Sequence, residues 1–164
     1  MSHDFSLDRT RLMALLEYPG LKKRKWARET VKIWIMPGLS PWVCWGLIED
    51  EGDYFVRRVI LVQPDHPLKI ESETFASEVQ IAASTSVELL TELSKIELNP
   101  FYQPEVIGTD GVYYGVEFKR FNTQVELGWW CDCPPTWKPL EAWHLKTTKK
   151  FQSILPGTVE NIGL

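Results

Sequence analysis

Cysteine is scarce: the 164 residues hold three, an odd number that does not make a disulfide framework. Free thiols suit a reducing compartment, and a cytoplasmic protein is expected. No apolar run approaches the ~20 residues that a membrane-spanning helix needs, so no membrane association is expected. The opening Met1-Ser2-His3-Asp4 has no basic stretch followed by an apolar one, so no secretory leader is expected. Basic excess is lacking too. Lys and Arg number 18 against 22 Asp and Glu, a net charge of −4, whereas a general DNA or RNA binder carries a basic stripe. A nucleic-acid partner is therefore not expected. Phosphate-loop, dinucleotide-binding, zinc-protease and nucleophile-elbow signatures are all missing. Internal repeats and low-complexity segments are missing as well.

What the chain does have is tryptophan, eight residues of it. Each buries a large area but carries an N–H that wants a partner. The core should be aromatic-rich, or some of these rings line a contact surface. The length fits one globular domain over 1–164, with 156–164 as a loose tail, and it can bury a core without covalent staples.

Apolar spacing predicts a first helix over Asp8–Tyr18, capped by Asp8 and stopped by Pro19-Gly20. Val31, Ile33 and Ile35 then alternate as in a strand. Trp42–Glu49 is apolar on both faces, as in a central strand. Asp50-Glu51-Gly52-Asp53 reads as a hairpin turn into a return strand, Tyr54–Gln63. Phe75, Val79 and Ile81 suggest a further short strand. A second helix is predicted from Thr85, where Thr85-x-x-Glu88 matches a capping box, to Asn99-Pro100. Two more strands follow, one with Val112, Tyr114, Val116 and Phe118 on its buried face and one with Val125, Leu127 and Trp129. A last helix spans Trp137–Leu155, with Pro139 in its first turn. Strands in successive hairpins with helices at both ends and between them predict an α+β fold. The expected architecture is an antiparallel meander sheet with about three helices packed mainly on one face.

Few residues suggest chemistry. Cys131-Asp132-Cys133, with His144 and Cys44, is too tightly spaced for a structural zinc site. As a nucleophile pair, a thiol beside Asp132 lacks the positive field that lowers its pKa. Asp65-His66-Pro67 reads as a turn, and Lys22-Lys23-Arg24-Lys25-Trp26 as a solvated loop. No catalytic residue, metal ligand or cofactor site is assigned. The acidic run Glu49-Asp50-Glu51-Gly52-Asp53 on a protruding hairpin can steer a basic partner. Trp42 and Trp45 should lie on opposite faces of their strand, as should Trp129 and Trp130. One of each pair, Trp42 and Trp130, is expected to look outward and anchor a contact. The expected partner-binding residues are thus Glu49, Asp50, Glu51, Asp53, Trp42 and Trp130.

In the last third, Asp110-Gly111-x-x-Tyr114 and Trp129-Trp130-x-x-x-Pro134-x-x-Trp137-x-x-Leu140 form a pattern that resembles the C-terminal part of small uncharacterised bacterial α+β proteins. Some of these look like immunity proteins, which bind and neutralise a cognate toxin. The resemblance covers only this stretch and carries over no functional residue. It implies a bacterial origin and a protein partner.

The reading that follows is a non-enzymatic protein-binding module, immunity-like in its most concrete form. Two alternatives stay open at this level. One is a small-ligand binder or enzyme with an aromatic pocket near His66, His144 or Cys131. The other is a structural subunit or homodimer built on an outward sheet face.

Overall fold

A computed structural model describes residues 5–18, 21–24, 27–62, 73–101 and 111–156. The described residues hold three α-helices and six strands, an α+β fold with all strands antiparallel. The strands are β1 (Arg28–Pro37), β2 (Trp42–Asp50), β3 (Asp53–Val62), β4 (Glu73–Ile81), β5 (Val112–Arg120) and β6 (Thr123–Trp130). Their order in the sheet is β4-β3-β2-β1-β5-β6. The first four form a meander. The chain then crosses over and lays β5 against the free edge of β1, with Ile33 opposite Val116.

Helices α2 (Ala83–Ser94) and α3 (Lys138–Ile154) cover one face. Under them lie Ile33, Ile35, Trp45, Val56, Ile60 and Val116, which meet Leu89 of α2 and Leu140, Trp143 and Phe151 of α3. Helix α1 (Phe5–Met13) and the 3-10 turn Leu15–Glu17 lie on the other face. There Leu12 and Leu15 pack on Trp34, Met36, Trp42, Cys44, Val59 and Leu61. Burial on both faces explains why β1, β2 and β3 read as nearly continuous apolar runs. It also buries both Trp42, at 8% exposure, and Trp45, at 0%. The expectation that Trp42 looks outward is therefore corrected, because α1 and its turn cover the face it occupies.

Local boundaries shift for identifiable reasons. Asp8 lies within the first turn of α1 instead of capping it, where its charge still suits the helix dipole. Helix α1 ends at Met13 and the chain rewinds as a 3-10 turn. That rewinding frees the Leu15 and Leu16 carbonyls to accept hydrogen bonds from the Arg57 guanidinium, at 2.9 and 3.3 Å. The Thr85–Glu88 capping box does not form. Helix α2 starts at Ala83, directly after β4, with no side-chain cap, and Glu88 instead accepts from Lys150 of α3 at 3.3 Å. Strand β4 is longer than its weak alternation suggests, pairing with β3 from Glu73 to Ile81. It is an edge strand with no fully buried position. Pro19-Gly20, Lys25-Trp26, Asp65-His66-Pro67, Asp110 and the tail beyond Pro156 lie outside the described residues.

Candidate functional site

The acidic hairpin forms as expected. Asp50 and Asp53 face each other across the β2–β3 turn, and Glu51 and Gly52 between them take φ of 54° and 91°. Two left-handed residues in a two-residue loop match the twist of the flanking strands, and Gly52 takes this geometry without a Cβ clash. Two aspartates directly opposite each other repel. Arg24 relieves one of them: it donates to Asp50 at 3.2 Å, pairs with Glu78 and lies 3.3 Å over the Phe55 ring. Arg24, expected in a solvated loop, is thus folded inward with a side chain only 7% exposed. Glu49, Glu51 and Asp53 make no ion pair among the described residues.

The other loops at this end of the sheet complete a groove. Strand β1 starts here with Arg28, opposite Glu49. The β5–β6 turn brings Arg120 and Phe121, the latter at φ 50° and 87% exposed. Its centre lies three strand spacings from the acidic turn, about 14 Å. Helix α2 forms the remaining wall with Leu90 and the exposed Val87. The groove has a volume of about 740 Å³, with Tyr54 and Phe118 in its lining and Arg28, Glu49, Lys119 and Arg120 contributing charge.

The two tryptophans of the expected partner set lie elsewhere. Trp42 begins β2 and is opposite Leu61, and Trp130 ends β6 opposite Tyr113. Both are at the far end of the strands, about 27 Å from the acidic turn for an eight-step strand. Trp42 donates its indole N–H to the Pro37 carbonyl at 3.0 Å. The structure therefore gathers Glu49, Asp50, Glu51 and Asp53 and leaves Trp42 and Trp130 out. In their place it brings Phe121 and Val87, which sequence reading missed. The signal for Phe121 was Phe-Asn between two alternating segments, a turn that lifts an aromatic into solvent.

A second concavity of about 650 Å³ lies between α1 and the β1–β5–β6 part of the sheet. Cross-strand register aligns Glu78, Arg57, Gly46, Lys32, Glu117 and Glu126 in one row on this face. Lys32 sits between Glu29 at 2.9 Å and Glu117 at 3.9 Å. Burial works to lower its pKa, but the two carboxylates outweigh burial and hold it above the ordinary lysine value. Arg9 of α1 closes onto Glu126 at 2.5 Å. A cleft in which Arg9 pairs with Glu126 and Lys32 with Glu29 and Glu117 is built to hold α1 on the sheet.

The remaining candidates are positioned as follows. His144 is fully buried, and its Nε2 lies 3.2 Å from the Trp34 carbonyl. The ring is edge-on to Tyr114 and Trp129. Burial lowers its pKa to about 4, against the pull of the neighbouring Trp34 and Gly115 carbonyls, which favour the charged form. Imidazole is thus neutral at pH 7 and packed away from solvent. Cys44 and Cys133 are buried and Cys131 is exposed. Desolvation pushes the Cys133 thiol up to about 11 and raises Cys44 further. His66 falls outside the described residues. Among the described residues no group of three or more His, Cys, Asp or Glu side chains could hold a metal ion, and no helix is long and apolar enough to cross a membrane.

Fold and site together define an α+β protein with a charged, partly apolar groove at one end of a six-stranded antiparallel sheet. No protein-family model matches the chain, and no curated protein or solved structure matches it significantly.

Proposed function

We propose that this protein is a non-catalytic binding module that acts on a protein partner by occlusion, in its most concrete form a bacterial immunity-like inhibitor of a cognate toxin. The observation that carries the reading is a groove of about 740 Å³ lined by Glu49 and the exposed Phe121 and Val87, with Glu51 and Asp53 on the adjoining turn, the three carboxylates without ion pairs among the described residues. Clustered carboxylates raise the association rate of a basic partner through long-range attraction. An aromatic at the lip of an apolar groove supplies the desolvated anchor on which affinity concentrates. Two buried thiols and one exposed free thiol suit a reducing compartment, and we place the protein in the cytoplasm.

The test is site-resolved cross-linking in the cell of origin. A photo-reactive residue at Phe121 should trap one protein of a sequence other than its own, and the same residue at Leu39, 99% exposed at the opposite end, should not. Introducing Glu51→Lys with Asp53→Lys should slow association with the trapped protein about tenfold at low salt, the difference shrinking as salt rises. Adducts of the same pattern from both positions, or a rate indifferent to the charge reversal, would overturn the proposal.

A further inference from the structure

We propose that the turn end of the sheet is also self-complementary, and that a second copy of this chain docks there about a two-fold axis in a dimer that hides the partner-binding groove. The inference rests on the reading above only in naming what the dimer hides; its physical basis is separate.

A two-fold interface requires that one patch carry both halves of every contact. This patch does. At one side stands the β2–β3 turn with Glu51 and Asp53, both exposed and without ion pairs among the described residues. At the other side, about 14 Å across the sheet, stands Arg120, also exposed and without an ion pair among the described residues, while the exposed Arg28 opens β1 midway between the two turns, opposite Glu49. Lys119 is occupied by Glu117 at 2.6 Å and is not counted among the free cations. Rotation by 180° about an axis through this end of the sheet, near the start of β1, sets the acidic turn of each copy over the basic side of the other. The apolar parts follow the same rule. Phe121 and Val87 are 87% and 56% exposed, and the groove beside them is lined by Tyr54, Leu90 and Phe118. Each copy thus offers both a projecting ring and a recess to receive one.

Charge decides between this occupant and others. The chain carries −4 overall, so two copies repel at long range and only a local match of opposite signs can hold them. A uniformly basic partner satisfies the acidic turn but sets its own charge against Arg28 and Arg120. A second copy satisfies both at once. Since dimer and partner use one surface, each excludes the other, and self-association acts as a reserve of the inhibitor that a partner draws down by mass action.

The test is a charge swap read by sedimentation velocity. Wild type should shift from monomer to about twice the mass as concentration rises towards millimolar, and the midpoint should move to higher concentration as salt is raised. Two variants, Glu51→Lys/Asp53→Lys and Arg28→Glu/Arg120→Glu, should each be monomeric, because both sides of each patch then carry one sign. Mixed in equal amounts they should form a heterodimer, since each patch of one now meets its opposite on the other. Restored pairing also shows that both variants are folded. A wild type that stays monomeric at millimolar concentration, a dimer that persists in either variant, or a mixture that fails to pair overturns the proposal. In cross-linking at Phe121 the two readings separate by product: an adduct of two copies of this chain reports the dimer and an adduct with a different protein reports the partner, so the absence of either leaves the other standing.

Discussion

His144 occupies one of the most enclosed positions in the molecule, on α3 between Trp129, Tyr114 and the Trp34 carbonyl. A carbonyl only accepts, so Nε2 carries the proton in this contact, and Nδ1 has no partner among the described residues. Folding lowers the pKa from 6.5 to about 4. The unfolded chain therefore takes up this proton first, and the stability the neutral ring contributes is complete above pH 6.5. It is lost as pH falls from there towards 4, by on the order of 3 kcal/mol across the window. We expect His144→Phe to flatten the pH dependence of urea unfolding between pH 4 and 6.5, whatever its effect at pH 7. An unchanged slope would show that other groups govern it. The tryptophans divide at the same scale. Trp42, Trp137 and Trp143 donate to carbonyls of Pro37, Asn99 and Leu89. The indole nitrogens of Trp34, Trp45, Trp129 and Trp130 are buried without a partner among the described residues. Their rings contribute by area, against a cost for each unmet donor.

Between elements, the Arg57 guanidinium is the principal tie. It is fully buried on β3 and reaches the Leu15, Leu16 and Lys22 carbonyls and the Glu78 carboxylate. Burial works to raise the Glu78 pKa, but Arg24 and Arg57 prevail and hold it below its ordinary value. One side chain thereby fastens the N-terminal segment to β3 and β4. Arg57→Met should cost about 3–5 kcal/mol in urea unfolding, because it leaves buried acceptors without their cation. It should also raise amide exchange in α1 ahead of the sheet. A loss below 1 kcal/mol would show that water replaces the guanidinium. Further along the same face, Gly115 lies under the Trp34 indole, where an added Cβ would overlap the ring. Gly115→Ala should destabilise by about 1–3 kcal/mol with a change in tryptophan fluorescence, as overpacking of a closed core does. A neutral outcome would mean that the ring has room to move.

At the scale of the whole molecule, cohesion and contact are separated in space. The charged row through Arg57 and Lys32 and both hydrophobic layers serve cohesion, while the turn end brings exposed acid and base together with the exposed Phe121. Glu51→Lys with Asp53→Lys should therefore leave unfolding free energy within about 0.5 kcal/mol of wild type, as surface changes do. Association should respond and stability should not; a large stability loss would show that the hairpin carbonyls or carboxylates hold the fold. Much of this layout was legible along the chain. The hairpin at Asp50–Asp53, the buried face of β5 and the extent of α3 all emerged from local spacing. The Thr85–Glu88 box misled because a capping box is a local option that tertiary contact overrode: the helix begins earlier, and Glu88 meets Lys150 of α3. Phe121 escaped notice because nothing nearby in sequence says that no helix covers the β5–β6 turn.

Alternation with period 2 determined the strands, and turn residues such as Gly52 determined where the chain reverses, since both depend on neighbours a few residues away. Only the tertiary structure decided that β5 returns to the edge of β1, and hence which charges stand in one cross-strand row. It also decided that α1 closes the second face, sending Trp42 inward, and that Arg28 and Arg120 share an end with the acidic turn. Such pairings bring together residues far apart along the chain, and their stability comes from burial and charge contact that no local spacing encodes.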